Sequence, residues 1–300
     1  MGIRTDLAIE AREMFAEEIS GVESTQKDTD GITVTHVKIT TEEGAKKIGK
    51  PIGNYITVEI KDLQYEDEEI CRRGAKAVES ELKKIIKLSK EASVLVAGLG
   101  NRYITPDSIG PKTIGKLTVT RHITKEGGEG FDFDVRAVSA IAPGVLGITG
   151  IETGEILRAV SDKIKPSLII AVDALASRKL SRLGTTIQIC DSGISPGSGV
   201  GNNRKALTKE TLGVPVIAIG VPMVVDAATL TSDAIETVGK YLSSSLGEKS
   251  VEAFSDCPEL VKKALCENNT NMVVTPNDVD TLAEQASDII AEGINSALFS

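Results

Sequence analysis

The chain has 300 residues, of which 41% are hydrophobic and 26% are charged, as in an ordinary globular protein. Aromatic residues make up only 3% and Trp is absent, so the core must be built from Ile, Val, Leu and Ala, which suits a β-branched parallel sheet. The formal net charge of -9 argues against an extended phosphate-binding surface. We therefore do not expect nucleic acid as a direct ligand.

The cysteines and the first residues indicate the compartment. Cys71, Cys190, Cys257 and Cys266 are widely separated and form no CxxC pair, so the sequence signals neither a disulfide framework nor a thiolate metal site. The chain begins without an apolar signal core, and no apolar run approaches about 18 residues. We expect a cytoplasmic protein with no membrane partner.

Residues 1–92 read as a peripheral α+β section. Within it, residues 5–19 look helical, residues 32–40 and 54–60 look like strands, and residues 65–90 form a long charged helix.

From residue 93 the pattern changes to strand, Gly-rich loop and helix, which predicts a doubly wound α/β core over residues 93–242 with helices on both faces of the sheet. The predicted core strands lie near residues 93–98, 135–141, 168–173, 185–190 and 214–220. Thr149 to Glu152 has capping-box spacing, and Thr275-Pro276 resembles a capped start of the last helix, which runs to about residue 296. A polar connector at residues 243–249 introduces a C-terminal helical appendage over residues 243–300, and we expect the 300 residues to form one domain.

Two carboxylates stand out because each follows a continuously apolar run. Asp107 comes shortly after the run that ends at Gly98, and Asp173 comes directly after Leu168 to Val172. The carboxyl ends of buried parallel strands line the crevice where open sheets bind ligands. Two close carboxylates split their pKa values, so that one can act as a base toward water while the other holds a proton. The same pair could instead hold a divalent metal, or each could be structural, with Asp107 capping a helix and Asp173 paired with Arg178.

Two glycine-rich turns are candidates for binding substrate or an oxyanion through backbone amides. One contains Gly98, Gly100 and Asn101, and the other contains Gly199 and Gly201. The second turn has G-x-G-x-G spacing and no preceding strand, so it does not match a dinucleotide-binding fingerprint. A nucleophilic triad is poorly supported, since His36 and His122 are the only histidines and there is no G-x-S-x-G elbow.

Long stretches of the chain resemble the germination protease family of spore-forming bacteria. The resemblance extends over nearly the whole chain, and its matching strings are residues 3–8, 98–101, 105–107, 143–153, 171–178, 186–189, 191–194 and 196–202.

This resemblance implies an atypical aspartic endopeptidase that degrades small acid-soluble spore proteins in the cytoplasm of the spore core. It implies that Asp107 and Asp173 form the catalytic pair, that no cofactor is needed, and that the enzyme is a homotetramer made as a zymogen with an N-terminal propeptide. The implied core is similar to that of hydrogenase-maturation proteases, where acidic residues at similar strand ends bind a metal. A metal-dependent peptidase that uses Asp107 and Asp173, or a non-catalytic binding protein, are the alternatives.

The chain departs from this family pattern in two places. Members commonly carry a dozen or more residues before the Arg4-Thr5-Asp6 string, whereas only Met1, Gly2 and Ile3 precede it here. Either this form needs little processing or the chain begins near its mature end. The segment at about residues 243–270 is also shorter than the family pattern, which puts any function of that insertion in doubt.

Overall fold

The computed structural model describes residues 5–61, 63, 67–89, 91–126, 135–197, 204–246 and 272–299. The strands are β1 (Val22–Thr29), β2 (Ile32–Ile39), β3 (Gly53–Ile60), β4 (Val94–Gly98), β5 (Val138–Ile141), β6 (Leu168–Ser177), β7 (Thr186–Cys190), β8 (Val216–Asp226) and β9 (Val273–Val274). The helices are α1 (Ala8–Glu13), α2 (Glu42–Ile48), α3 (Glu68–Ile85), α4 (Ile109–Ile114), α5 (Arg121–Glu126), α6 (Leu146–Thr149), α7 (Thr153–Ile164), α8 (Lys209–Leu212), α9 (Ala227–Leu246) and α10 (Val279–Phe299).

The described strands form one mixed sheet in the order β1-β2-β3-β7-β8-β6-β4-β5, with β9 paired to β8. The strands β5, β4, β6 and β8 run parallel to one another, and β7, β3, β2 and β1 continue the sheet by antiparallel pairing. β7 reverses direction because a short loop with a single 3₁₀ turn, and no crossover helix, joins it to β6.

Helices cover both faces of this sheet, as the sequence predicted. On one face, α3, α4 and α10 pack on residues such as Val96, Ile170 and Ile219. On the other face, α7 and α8 pack on Ile169 and Ala171, while α1 and α2 pack beside the antiparallel strands. Because successive side chains of a strand point to opposite faces, odd-numbered residues of β6 up to Leu175 belong to this second face. Asp173 is therefore on the face that carries α1 and α7.

Some predicted elements differ in extent from the observed ones. β6 continues to Ser177 and β8 to Asp226, beyond the predicted ends at residues 173 and 220, because the two strands keep pairing with each other past the end of β4. The predicted helix over residues 5–19 is only α1, which ends at Glu13. The predicted polar connector is also wrong in its first part, because residues 243–246 belong to α9; residues 247–249 lie outside the described chain.

Both predicted helix starts are wrong. Thr149 is the last residue of α6, its hydroxyl lies within hydrogen-bonding distance of the carbonyls of Val145 and Ile151, and α7 begins only at Thr153. The hydroxyl of Thr275 donates to Met223 O of β8 at 3.0 Å, and α10 begins at Val279. The Thr149 hydroxyl thus belongs to the turn that ends α6 and the Thr275 hydroxyl fastens the chain to β8, so neither residue lies next to the first residue of the following helix.

Candidate active site

Asp173 lies within β6 and is only 5% exposed. It pairs in register with Gly220 of β8 on one side, whereas on the other side β4 ends at Gly98, opposite Val172. The sequence predicted that the strand ends at this aspartate, whereas β6 continues to Ser177. The aspartate is nevertheless the first residue beyond the carboxyl end of β4, which is the kind of sheet edge where parallel sheets bind ligands.

Asp107 reaches the same region from the loop that follows β4. It ends a 3₁₀ turn over Thr105–Asp107, and its Oδ2 accepts a hydrogen bond of 2.8 Å from Asn101 N. Gly100 makes this approach possible, because its φ is +102° and a Cβ at this position would lie 2.1 Å from Asp107 O. The loop sequence therefore holds the carboxylate against the end of β4.

Burial raises the pKa values of both carboxyls, whereas the nearby charges act in both directions. Burial raises the pKa of Asp173 well above its ordinary value, and the negative charge of Asp107 raises it further. Burial also raises the pKa of Asp107, while the amide of Asn101 and the charge of Arg204 lower it. The more deeply buried Asp173 is thus the better proton holder, and Asp107 is the better base.

Two charged residues near this pair were not singled out from the sequence. Arg204 is the cation whose charge acts on both carboxyls, and Asp6 is a third carboxylate whose charge raises the pKa of Asp173. Arg204 directly follows the Gly-rich turn and Asp6 lies in the matching string at the start of the chain, so their positions were visible. Their proximity to Asp173 depends on contacts between distant parts of the chain, so it could not be predicted from the sequence.

The N-terminal segment Thr5 to Ala8 lies along the extended half of β6. Asp6 N donates to Ala176 O at 2.9 Å, and Ala176 N donates to Asp6 Oδ2 at 2.9 Å. The side-chain amide of Gln188 on β7 binds the same segment twice, donating to Asp6 O at 3.1 Å and accepting from Ala8 N at 2.7 Å. These bonds hold the N-terminal segment beside the aspartate pair.

A cavity of about 410 Å³ opens next to this segment on the second face of the sheet. Its wall includes Asp6, Lys50, Leu175, Gln188 and Gly220. Gly220, which pairs with Asp173, belongs to this wall, and the side chain of Leu175 fills the space above it, so that neither aspartate of the pair lines the cavity. Its volume falls within the range of about 300–1,000 Å³ that is typical of ligand pockets.

The other residues that the sequence predicted for the site lie in different surroundings from one another. Gly98 is packed against α4, where a Cβ would lie 2.3 Å from Gly110 O. The backbone amide of Asn101 donates a hydrogen bond to the Asp107 carboxylate. Gly199 and Gly201 lie outside the described residues. Arg178, the structural alternative as a partner for Asp173, binds Asp233 through its guanidinium at 2.7 Å.

The remaining candidates have structural surroundings. His36 faces Glu81 at 3.3 Å, and His122 is exposed on α5. Cys190 is buried, and burial raises the pKa of its thiol to about 11. Within the described ranges, no three His, Cys, Asp or Glu side chains come together as a set of metal ligands. No helix in these ranges has the length and apolarity needed to cross a bilayer.

Comparison with known proteins gives consistent results. A family model described as germination protease matches residues 4–259. The chain is 48% identical to the germination protease of Caldanaerobacter subterraneus subsp. tengcongensis, with 99% of this chain and 94% of the relative covered. It is 47% identical to that of Clostridium perfringens strain SM101 (99% and 95% covered) and 39% identical to that of Bacillus cytotoxicus (99% and 93% covered).

A solved structure also shows some similarity. It is the [NiFe] hydrogenase maturation protease HycI from Thermococcus kodakarensis KOD1, at 16% identity and a TM-score of 0.31, with 61% of this chain and 99% of that chain covered.

Proposed function

Because the chain belongs to the germination protease family, we propose that it is an endopeptidase that begins the degradation of small acid-soluble spore proteins during germination, in the cytoplasm of the spore core. The observation that carries the proposed chemistry is the buried Asp173 beside Asp107 at the end of β4. Endopeptidase chemistry on folded or extended proteins needs a general base for water and a general acid for the leaving amine.

In the proposed mechanism the two aspartates share one proton. Asp107, which is less buried than Asp173, accepts a proton from water as the water oxygen attacks the carbonyl carbon of the scissile peptide bond. Asp173 then gives its proton to the leaving amide nitrogen, so that the C–N bond breaks and the pair again holds one proton. No cofactor takes part. The charge of Arg204 offsets the negative charge that builds up at this site, and amides of the turns near Gly98 and Gly199 are the proposed oxyanion donors.

We also propose that the protein is made as a zymogen in which an N-terminal propeptide, ahead of the Arg4-Thr5-Asp6 string, restrains activity. The support is the position of Thr5 to Ala8, whose backbone binds Gln188 and β6 beside Asp173. A propeptide joined to this segment lies close to the aspartate pair. Its removal therefore opens the approach of a substrate peptide to the site.

The test is cleavage of a purified small acid-soluble spore protein by the wild type, Asp107→Asn and Asp173→Asn, with and without a chelator. We expect each variant to lose about 10²–10⁴-fold in rate, the usual contribution of general acid–base catalysis. Asp162→Asn is the matched control, because Asp162 is 61% exposed and pairs with Arg158 on the surface of α7. Intact mass of both proteins reports cleavage of the substrate and any loss of the N-terminal segment from the protease.

Each outcome has a defined meaning. Loss of cutting only in Asp107→Asn and Asp173→Asn supports a metal-free aspartate pair, provided that both variants keep the wild-type circular dichroism. Sensitivity of the wild type to the chelator assigns the same carboxylates to a metal site instead. Cutting at the wild-type rate by both variants contradicts the mechanism, and binding of substrate without any cutting favours a non-catalytic binding protein.

A further inference from the structure

The strand β1 forms the antiparallel end of the sheet, and its outer edge has no partner strand in the part of the chain that the structure describes. Residues 23–29 are exposed, so the strand is open to solvent on both faces as well as along this edge. Its eight residues pair with β2 without a register shift, and they include no proline. β1 is therefore a long and regular edge, the form to which a further strand readily adds.

The register of the β1-β2 hairpin shows which backbone groups point away from β2. Thr40 N donates a hydrogen bond of 2.8 Å to Gly21 O, and hydrogen-bonded pairs alternate along an antiparallel ladder with pairs that are not hydrogen-bonded. The even-numbered residues from Val22 to Asp28 belong to the second kind of pair, so their N–H and C=O groups point to the open edge. Of these N–H groups, that of Val22 binds Ile19 O. The other even-numbered residues offer both backbone groups to a new strand.

Two charged side chains of β1 indicate which strand fits this edge. Glu23 and Lys27 lie four positions apart on one face of the strand, and neither forms an ion pair with another residue of the described ranges. When two antiparallel copies of β1 pair about a two-fold axis at Thr25, Glu23 of each copy lies opposite Lys27 of the other. Ser24 then faces Gln26, so the outward backbone groups of both copies meet in register.

The neighbouring registers leave these charges unmatched. A two-fold axis at Ser24 places Glu23 opposite Thr25, and an axis at Gln26 places Lys27 opposite Thr25. Opposite charges on facing strands stabilise the pairing, whereas a lysine on an edge strand discourages pairing with other strands. Lys27 therefore disfavours most strands but favours a second copy of β1, because Glu23 of that copy faces it.

We propose that β1 is a subunit interface, at which a second copy of this chain adds its own β1 antiparallel to the first and joins the two sheets into one. The interface is isologous, since each copy contributes the same strand and the same two charges. The inference goes beyond the proposed peptidase chemistry and does not depend on it. β1 is five strands away from β6, which carries Asp173, or roughly 24 Å at the usual strand spacing. A dimer and a homotetramer of two dimers both contain this interface.

The direct test is a disulfide across the two-fold axis. In this register Thr25 faces its own copy in a pair without hydrogen bonds, where the Cα atoms lie about 4.5 Å apart, within the range of disulfides. We expect mild oxidation to convert most of the Thr25→Cys variant into a covalent dimer of twice 31.7 kDa, and reduction to reverse it. The matched control is Thr29→Cys, an exposed position of the same strand that lies roughly 27 Å from its copy and should give no such dimer.

Charge reversal tests the same register without a covalent bond. Glu23→Lys and Lys27→Glu each place like charges opposite each other twice, so we expect the dissociation constant of the interface to rise about 5–30-fold. An equimolar mixture of the two variants restores opposite charges in mixed pairs and should recover the wild-type association. Sedimentation velocity over a dilution series measures these changes. Glu155→Lys makes the same charge change at an exposed position of α7 and should leave association unchanged.

Two results overturn the inference. One is a Thr25→Cys variant that cross-links no more than Thr29→Cys, and the other is unchanged association of both charge variants. Cleavage of a small acid-soluble spore protein by the same variants separates the interface from the proposed function. A protein that forms the Thr25→Cys dimer but cuts nothing supports the interface and refutes the hydrolysis, and a monomer that cuts the substrate does the reverse.

Discussion

At the scale of single residues, the position of Asp107 depends on a neighbour that has no side chain. Gly100 has a φ of +102°, a region that favours glycine, and its Cα faces both the backbone oxygen and the carboxylate of Asp107. The carboxylate in turn binds Asn101 N. Any side chain at residue 100 must therefore strain the backbone and displace the aspartate at the same time.

We expect Gly100→Ala to lower the free energy of unfolding by about 1–3 kcal/mol, the cost of one strained backbone conformation, and to reduce peptidase activity. Gly147→Ala is the control, because Gly147 lies in α6 without a positive φ, and a Cβ added there would have no neighbouring atom within 4 Å. It should leave both quantities nearly unchanged or raise stability by about 0.5–1 kcal/mol. Urea unfolding followed by circular dichroism measures the difference, and equal stability of the two variants contradicts the assigned strain.

At the scale of elements, α1 is fixed by a buried cluster of charges. Arg182 is only 5% exposed and contacts three carboxylates: Glu10 at 3.3 Å, Glu13 at 2.7 Å and Glu59 at 2.9 Å. Glu10 also accepts hydrogen bonds from the amides of Arg178 and Lys179, just after β6. The cluster ties α1 to the sheet and thereby keeps the preceding residues, Thr5 to Leu7, beside the candidate site.

Arg182→Met should destabilise the protein by about 3–5 kcal/mol, because it leaves the buried Glu10 without its cation. The control is Arg158→Met, which removes an exposed ion pair to Asp162 on one helix and should cost less than about 1 kcal/mol. Denaturant midpoints at constant slope give both values. A loss of less than about 1 kcal/mol in Arg182→Met is the outcome that contradicts a structural role for the cluster.

The elements that the sequence predicted are those whose signals are local. β4 and the first half of β6 are continuous apolar runs, and both are buried as predicted. β1 was missed because it is an edge strand that is exposed along almost its whole length, so it has no apolar alternation. α2 was also missed, although Thr41 caps its start and Gly49 its end.

The candidate site was predictable only in part, for a related reason. Asp107 and Asp173 follow apolar runs, and strand order in a parallel sheet brings such positions together. The approach of Asp6, Lys50 and Arg204 requires contacts between distant parts of the chain, which no local pattern encodes.

At the scale of the whole molecule, we propose a homotetramer. Large apolar side chains remain on the surface of the described chain, among them Tyr103 at 79% and Tyr241 at 72% exposure, and aromatic side chains are enriched where subunits meet. Sedimentation velocity should give a mass of four times 31.7 kDa that does not change on tenfold dilution. A species of 31.7 kDa at all concentrations contradicts the proposal.

The two hydrogen bonds between Gln188 and the N-terminal segment also have a consequence for synthesis on the ribosome. They join residues 180 and 182 positions apart in the chain. At about 5–20 residues per second, the first residues leave the ribosome roughly 10–40 s before their partner does. For most of that interval the candidate site is incomplete, because β6 is made near its end and β8 only after it. A nascent chain therefore brings the aspartate pair and the N-terminal segment together only late in its synthesis.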